Sequence, residues 1–236
     1  TSSPIVAGDD LIVMVGNDPK RKREKEDGTG IVAFDKLTGK VKWQSLGDAA
    51  SYASPVLLNK QLVALTGANL VGLDPKDGKP LWKYPFRDLL LESSTTPVRV
   101  GEYYVASSIT AGTVALKVNE KGGKFEVEKV WDDPALTGYF STPVSVDGKH
   151  LFLIAGKLVP PQFATLHCVE LATGKKLWSK ERVGKFHASL MTLKDGKILM
   201  LDDSGNLILL ESSVKEYTEL ARASLFKANG DAWAHP

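Results

Sequence analysis

The chain has 236 residues, of which 43% are hydrophobic and 25% are charged, with 30 Lys and Arg against 28 Asp and Glu. A net charge of +2 is too small to predict a nucleic-acid partner or a membrane-surface partner through bulk electrostatics. No apolar run is long enough for a transmembrane helix. The single cysteine, Cys168, excludes an internal disulfide and fits a buried strand position.

The first fifth of the chain contains four short extended segments. Residues 4–7 and 11–15 are apolar runs separated by the turn triplet at 8–10, and further segments follow at 29–34 and 40–44. Apolar runs of this length, bounded by turn residues, predict an antiparallel meander of strands A, B, C and D. Because the same order recurs along the chain, we predict an all-β protein.

A small hydroxyl residue followed by proline precedes each of these units. The pairs are Ser3-Pro4, Ser54-Pro55, Thr96-Pro97 and Thr142-Pro143, while Ser189-Leu190 holds the same place without proline and His235-Pro236 begins the cycle again. The intervals of 51, 42, 46, 47 and 46 residues match a propeller blade and exceed shorter repeats. The predicted blades are 1–48, 49–90, 91–136, 137–183 and 184–231, followed by a stub.

A second marker lies between strands C and D. In three close copies an acidic residue is followed four positions later by glycine and eight positions later by tryptophan. These are Asp35, Gly39 and Trp43; Asp74, Gly78 and Trp82; Glu170, Gly174 and Trp178; a looser copy ends at Trp131. The acidic side chain can accept backbone N–H bonds, and the glycine supplies the positive φ of a bulged hairpin. The tryptophan is predicted to cover the seam to the next blade.

This unit resembles the repeat of pyrroloquinoline-quinone (PQQ) type β-propellers, the quinoprotein alcohol dehydrogenase-like fold. The resemblance implies four-stranded antiparallel blades, with five blades and a stub in this chain. The expected whole is a seven- or eight-bladed ring whose remaining blades come from missing sequence; a compact five-bladed ring is the alternative. The third blade carries an insertion at 119–124, and the fifth lacks the turn glycine and the tryptophan. Members of the family point to a periplasmic or extracellular location.

Motifs for catalysis are absent from the sequence. The four histidines, His150, His167, His187 and His235, are scattered and form no pair at ligand spacing. In the quinoprotein dehydrogenases that this fold resembles, PQQ lies at the propeller axis with a Ca²⁺ ion, in many cases beside a disulfide of adjacent cysteines. This chain has no adjacent cysteines and no clear Ca²⁺ ligand set. No catalytic residue, metal site or cofactor is therefore predicted, and PQQ and Ca²⁺ belong to the alternative function alone.

Strand order locates a candidate binding face. The B–C and D–A loops share one end of the blades, and rigid scaffolds commonly carry binding sites on such loops. Aromatic and imidazole side chains recur just before the unit markers and are predicted to surround the mouth of the central channel. They are Tyr52, Tyr139, Phe140, His187 and Trp233, with His235 nearby. Such a collar suits a planar ligand or a protein, peptide or glycan partner; alternatively, the rings fill gaps between blades.

Two functions from different classes follow. The favoured one is a non-catalytic, extracytoplasmic propeller scaffold that binds a partner or ligand at the face formed by the D–A and B–C loops. The alternative is a PQQ- and Ca²⁺-dependent quinoprotein dehydrogenase with its redox centre at the same mouth. The sequence leaves the question of enzymatic activity open.

Overall fold

The structure, a computed structural model, describes residues 2–16 and 30–226. These residues form 19 strands and no helix, so the predicted all-β fold is confirmed. None of their elements is a helix of the length and apolarity needed to cross a membrane. The predicted stub, the B–C loop of the first blade, Trp233 and His235 lie outside the described residues.

Each of five antiparallel sheets is a meander in which consecutive strands pair. Sheet 1 comprises β1 (Ile5–Ala7), β2 (Asp10–Met14), β3 (Ile31–Asp35) and β4 (Val41–Ser45). Sheet 2 comprises β5 (Val56–Leu58), β6 (Gln61–Leu65), β7 (Asn69–Leu73) and β8 (Pro80–Pro85). Sheet 3 comprises β9 (Val98–Val100), β10 (Tyr103–Ser108), β11 (Gly112–Lys121) and β12 (Lys124–Asp133). Sheet 4 comprises β13 (His150–Ala155), β14 (Ala164–Glu170) and β15 (Lys176–Gly184), and sheet 5 comprises β16 (Ala188–Thr192), β17 (Ile198–Asp202), β18 (Asn206–Glu211) and β19 (Thr218–Ser224).

Sheet 4 differs from the others because its innermost strand is reduced to one bridge, between Val144 and Phe152. The chain enters its next turn at Asp147, shortly after this bridge. The Asp147 carboxylate accepts the backbone N–H groups of Lys149 and His150, each at 2.8 Å. A short acidic side chain that bonds nearby N–H groups favours a turn over a continued ladder, which accounts for the shortened strand.

Consecutive sheets pack face to face through apolar clusters, which we call seams 1 to 4 in chain order. In seam 1, for example, Ile12 and Ile31 of sheet 1 pack with Leu62 and Leu73 of sheet 2, all inaccessible to solvent. Face-to-face packing of successive meanders is the architecture of a β-propeller.

The two terminal sheets are not packed against each other within the described residues, because no apolar cluster joins them. Val6 and Val41 are exposed on the outer face of sheet 1, and Met191 is exposed on that of sheet 5. Sheet 2 shows what normally covers this face. Its Leu62 and Leu73 hold the positions that Leu11 and Phe34 hold in sheet 1, and they are buried against sheet 1. The five described sheets therefore form an open arc of blades.

Tryptophans from the outer strands lie at all four seams. A Cβ built on Gly78 would come within 2.4 Å of the Trp43 ring, and one on Gly174 within 2.7 Å of the Trp131 ring. The Trp131 Nε1–H group also donates to the Leu171 carbonyl at 2.6 Å. These rings thus rest directly on turn glycines of the following sheet. At seam 4, which has no turn glycine, the Trp178 indole donates to the Ser213 carbonyl at 2.9 Å.

In the Asp35 and Asp74 turns the acidic side chain accepts backbone N–H groups, as the sequence predicts, whereas the Glu170 carboxylate accepts the Thr173 hydroxyl. Asp35 Oδ1 accepts the backbone N–H and the hydroxyl of Thr38, each at 2.8 Å. The hydrogen bond from the Thr38 hydroxyl is the main reason why the pKa of Asp35 lies below its ordinary value. The φ angles of the turn glycines, Gly39, Gly78 and Gly174, are 69°, 73° and 74°, a region that side chains with a Cβ rarely adopt.

Candidate functional site

The B–C and D–A loops meet at one end of the arc, which we call the loop face. The backbone N–H of Tyr52, in the loop after sheet 1, donates to the Ser93 carbonyl in the loop after sheet 2 at 2.9 Å. The Tyr139 hydroxyl, in the loop after sheet 3, donates to Glu92 at 2.8 Å. Successive D–A loops are therefore linked by hydrogen bonds.

Tyr139 and Phe140 form the aromatic centre of this face. Their ring centroids lie 3.8 Å apart, and the Phe140 ring stands edge-on to His187 at 6.4 Å. Side chains of adjacent residues in an extended chain point to opposite sides. Phe140 instead has a left-handed backbone, with φ of 59°, and its N–H donates to Ser94 Oγ at 3.1 Å. This local turn allows the two neighbouring rings to lie against each other, tilted by 40°.

The Tyr139 hydroxyl is a hydrogen-bond donor rather than an acid or a base. Burial and then the neighbouring Glu92 carboxylate raise the pKa of Tyr139 to about 12, because both disfavour a phenolate. The hydroxyl stays protonated at neutral pH. Its proton is directed at Glu92, which fixes the loops after sheets 2 and 3 relative to each other.

His187 lies beneath the surface, with only 1% of its area exposed. The loop that carries it is held by Asp203, whose carboxylate accepts the N–H groups of Lys185 at 2.9 Å and Phe186 at 2.6 Å. His187 therefore supports the Phe140 ring from within and does not present its own ring to solvent. Of the six residues predicted for the site, Tyr139, Phe140 and His187 form ring contacts with one another. The loop of Tyr52 is joined to that of Glu92, the partner of Tyr139, through the Tyr52–Ser93 backbone bond. Trp233 and His235 are outside the described residues.

Among the described members of the predicted collar, Tyr52 is the exposed one, at 52%. It borders a cleft of about 470 Å³ at the inner end of seam 1. Most of the lining is apolar, and the residues are Ser2, Val13, Met14, Val15, Ala50, Ser51, Tyr52 and Leu91. A concave apolar surface with a few polar groups is the usual form of a binding site.

Three consecutive leucines stand beside this cleft, in the loop after sheet 2. Leu89 is 78% exposed and Leu90 is 48% exposed, and Leu91 reaches the cleft wall. The loop is well ordered, because Asp88 Oδ1 accepts the Leu90 N–H at 3.0 Å and the Thr110 hydroxyl. The backbone is fixed while the aliphatic side chains face water. Sequence reasoning missed this feature, although an apolar triplet within a connection is itself a signal.

The polar and aromatic side chains described at the mouth contact one another. No group of three His, Cys, Asp or Glu residues within the described ranges could hold a metal ion. The Glu92 carboxylate accepts a hydrogen bond from Tyr139, and the Tyr139 and Phe140 rings are in tilted contact with each other. Burial raises the pKa of the Cys168 thiol to about 11, so this thiol is protonated at neutral pH.

Face-to-face meanders, turn glycines and seam tryptophans together define a β-propeller built from PQQ-type repeats. A family model described as outer membrane protein assembly factor BamB matches residues 1–180, so the chain belongs to that family. No curated protein matches the chain by sequence.

Solved structures share the fold at low sequence identity. BamB from Moraxella catarrhalis is 16% identical with a TM-score of 0.60, over 94% of this chain and 60% of that one. Quinohemoprotein alcohol dehydrogenase from Comamonas testosteroni is 13% identical with a TM-score of 0.63, over 95% and 52%. Apo AztD from Citrobacter koseri is 14% identical with a TM-score of 0.54, over 95% and 60%. The chain thus spans little more than half the length of these proteins.

Proposed function

We propose that this chain is a non-catalytic, extracytoplasmic propeller scaffold that binds a protein partner at the loop face. The observation that carries the proposal is the exposed leucine triplet at 89–91 beside the apolar cleft of Tyr52. Aliphatic side chains held outward by an ordered loop favour contact with a protein surface, because exposed apolar groups of this kind gain most when a partner covers them.

The partner contacts the rim through apolar side chains. Leu91 forms part of the cleft wall, Leu90 is exposed directly before it in the chain, and Tyr52 adds a polar hydroxyl to the lining. A glycan would need more polar partners than this lining provides. Membership of the BamB family supports a partner from outer-membrane protein assembly and, with it, a periplasmic location.

Site-specific photo-crosslinking tests this proposal. A photoreactive residue at Leu90 is expected to capture a protein from periplasmic extract, and Leu90→Ser or Tyr52→Ala is expected to weaken that protein's binding about fivefold or more. Leu37 provides the matched control, because it is 86% exposed in a turn at the opposite end of sheet 1. Equal capture from Leu37 and Leu90, or unchanged binding by both variants, would contradict the proposal.

A quinoprotein dehydrogenase is the alternative function, supported by the fold shared with quinohemoprotein alcohol dehydrogenase. The residues described at the mouth do not favour it. Addition of PQQ and Ca²⁺ to the protein tests it directly, because a bound quinone would give its own absorbance and raise the melting temperature. Binding of both at the mouth would overturn the non-catalytic assignment.

A further inference from the structure

The B–C loop of sheet 4 carries a second exposed aliphatic tip on the loop face. It joins β13 to β14, and Leu158 and Val159 at its tip are 43% and 71% exposed. The base is fixed, because Gln162 Nε2 donates to the Leu158 carbonyl at 3.0 Å and Phe163 is buried. The tip is therefore an exposed aliphatic projection on an anchored base.

Two cations stand at the base of this tip. The Lys157 ammonium lies 4.1 Å from the centroid of the Phe163 ring, and the Arg182 guanidinium lies 4.9 Å from the same centroid. Both side chains are exposed. Cation–π contact with one buried ring holds both positive charges beside the aliphatic tip. Glu181 is the acidic neighbour of this pair along β15.

Several carboxylates near this part of the loop face are turned inward, whereas Glu181 is exposed. Glu92 accepts the Tyr139 hydroxyl, and Asp203 accepts backbone N–H groups of the loop after sheet 4. Asp88 accepts the Thr110 hydroxyl and is buried. Their charges are used within the protein, whereas Lys157 and Arg182 face solvent. A small net charge for the whole chain thus conceals a local positive patch around an apolar tip.

We infer that the loop at 157–163, together with Arg182, is a contact for an anionic lipid surface. An aliphatic tip can enter the boundary between headgroups and acyl chains while adjacent cations attract anionic headgroups. An exposed aliphatic tip with flanking cations suits a flat anionic surface, whereas the common modes of peptide binding use a groove or a free strand edge. This inference is independent of the partner proposed for the cleft.

The lipid contact would also orient the rest of the site. A Cβ at Gly156, just before the loop, would lie 3.5 Å from both Tyr139 Cβ and the Phe186 carbonyl. The tip is therefore continuous with the aromatic centre of the loop face. When the tip rests on a membrane, the leucine triplet and the cleft face the same surface.

Vesicle flotation tests the inference with the chain itself. Binding is expected with vesicles of phosphatidylcholine and phosphatidylglycerol, and it should be absent with phosphatidylcholine alone and weakened by salt. Lys157→Ala and Arg182→Ala should each reduce partitioning about fivefold. Val159→Asp should abolish it, and Leu158→Ser should reduce it. Each variant is compared with the parent only if its melting temperature is retained.

Matched controls lie on the opposite face. Leu37→Asp and Lys194→Ala change an exposed leucine and an exposed lysine there and should leave partitioning unchanged. No binding to the anionic vesicles, equal loss in these controls, or displacement by soluble glycerol phosphate would overturn the inference. If the tip variants lose capture of a protein but keep vesicle binding, the tip contacts a protein, and the inferred lipid contact is overturned.

Discussion

Seams 1 and 2 use the same tryptophan signature in different ways. At seam 1 the Trp43 ring leaves its own sheet and rests on Gly78 of the next. At seam 2 Trp82 lies against its own sheet, where a Cβ on Gly72 would be 2.1 Å from its Nε1 atom. Its indole N–H donates to Gln61 at 2.7 Å, and its ring meets Tyr104 edge-on at 5.4 Å.

The following sheet accounts for the difference. Sheet 3 has no acidic turn with a glycine to receive the ring, because β11 and β12 continue into a long hairpin with Gly122 and Gly123 at its tip. Apolar side chains of that hairpin pack on seam 2 instead, among them Val118, Phe125 and Val127. The position of a repeated tryptophan is thus set by what the neighbouring blade offers, as expected for arrays in which each unit contacts its neighbours.

The largest destabilisation is expected when either the Trp43 ring or the Trp82 ring is removed. Trp43→Ala and Trp82→Ala should each destabilise the fold by about 3–5 kcal/mol, because both rings are buried and truncation leaves a cavity. Trp178 is less buried, so Trp178→Ala should cost less. Urea denaturation of the three variants measures the differences. A parent-like curve for Trp82→Ala would show that the hairpin, and not the ring, maintains seam 2.

A comparison of turn glycines isolates the docking contact at seam 1. Gly39→Ala should cost about 1 kcal/mol for its left-handed backbone, because nothing lies within 4 Å of the added Cβ. Gly78→Ala has the same backbone cost and must also displace the Trp43 ring, so about 2–4 kcal/mol is expected. Equal losses in thermal or urea unfolding would remove the evidence for docking. Trp43→Ala should abolish most of the difference between the two glycines.

Much of the fold could be predicted because the repeat encodes it locally. Apolar runs, turn residues and the acidic turn with its glycine each act within a few residues, so their spacing predicts the meanders. The shortened strand of sheet 4 was not predicted, because it depends on the Asp147 carboxylate bonding Lys149 and His150 in preference to a ladder. The orientation of Trp82 depends on Gly72 and on sheet 3, which no local spacing reveals.

The candidate site was less predictable for a related reason. Alignment of the D–A loops brought Tyr139, Phe140 and His187 together, but it could not tell that His187 is buried beneath the Phe140 ring. The leucine triplet lies in a connection, where strand periodicity carries no information about exposure. Its outward position follows from side-chain to backbone bonds of Asp88, which exist only in the folded loop.

The polar partner of Trp82 gives a smaller test of seam 2. Gln61→Leu should cost about 1–3 kcal/mol, because it leaves a buried indole N–H without its acceptor. Adding Trp82→Phe removes the donor as well, so the double variant should cost less than the sum of the two single changes. Trp43 provides the contrast, since its buried N–H has no hydrogen-bond partner among the described residues. Additive costs in a double-mutant cycle would show that the bond to Gln61 does not fix the ring.

The smallest expected effect is a pH dependence of stability that arises at seam 3, which contains the titratable ring of His167. His167 accepts or donates a hydrogen bond at 2.7 Å with Ser179, and it lies near Lys176 and Asp133, which form an ion pair at 3.0 Å. Burial, then the charge of Lys176, lowers the pKa of His167 from 6.5 to about 4, partly opposed by Asp133. The neutral ring is therefore favoured in the folded state.

The sign of the pH effect follows from proton uptake. Between pH 6.5 and about 4 the unfolded chain binds a proton at His167 that the folded chain does not, so stability falls as the pH falls through this window. His167→Gln should flatten that decline when urea midpoints are compared at neutral pH and at pH near 4.5. Asp35→Asn is the control, because the lowered pKa of Asp35 places its titration below the window. If the fall in stability between the two pH values is unchanged in His167→Gln, other groups cause the acid sensitivity. His167 would then not distinguish seam 3 from seam 1.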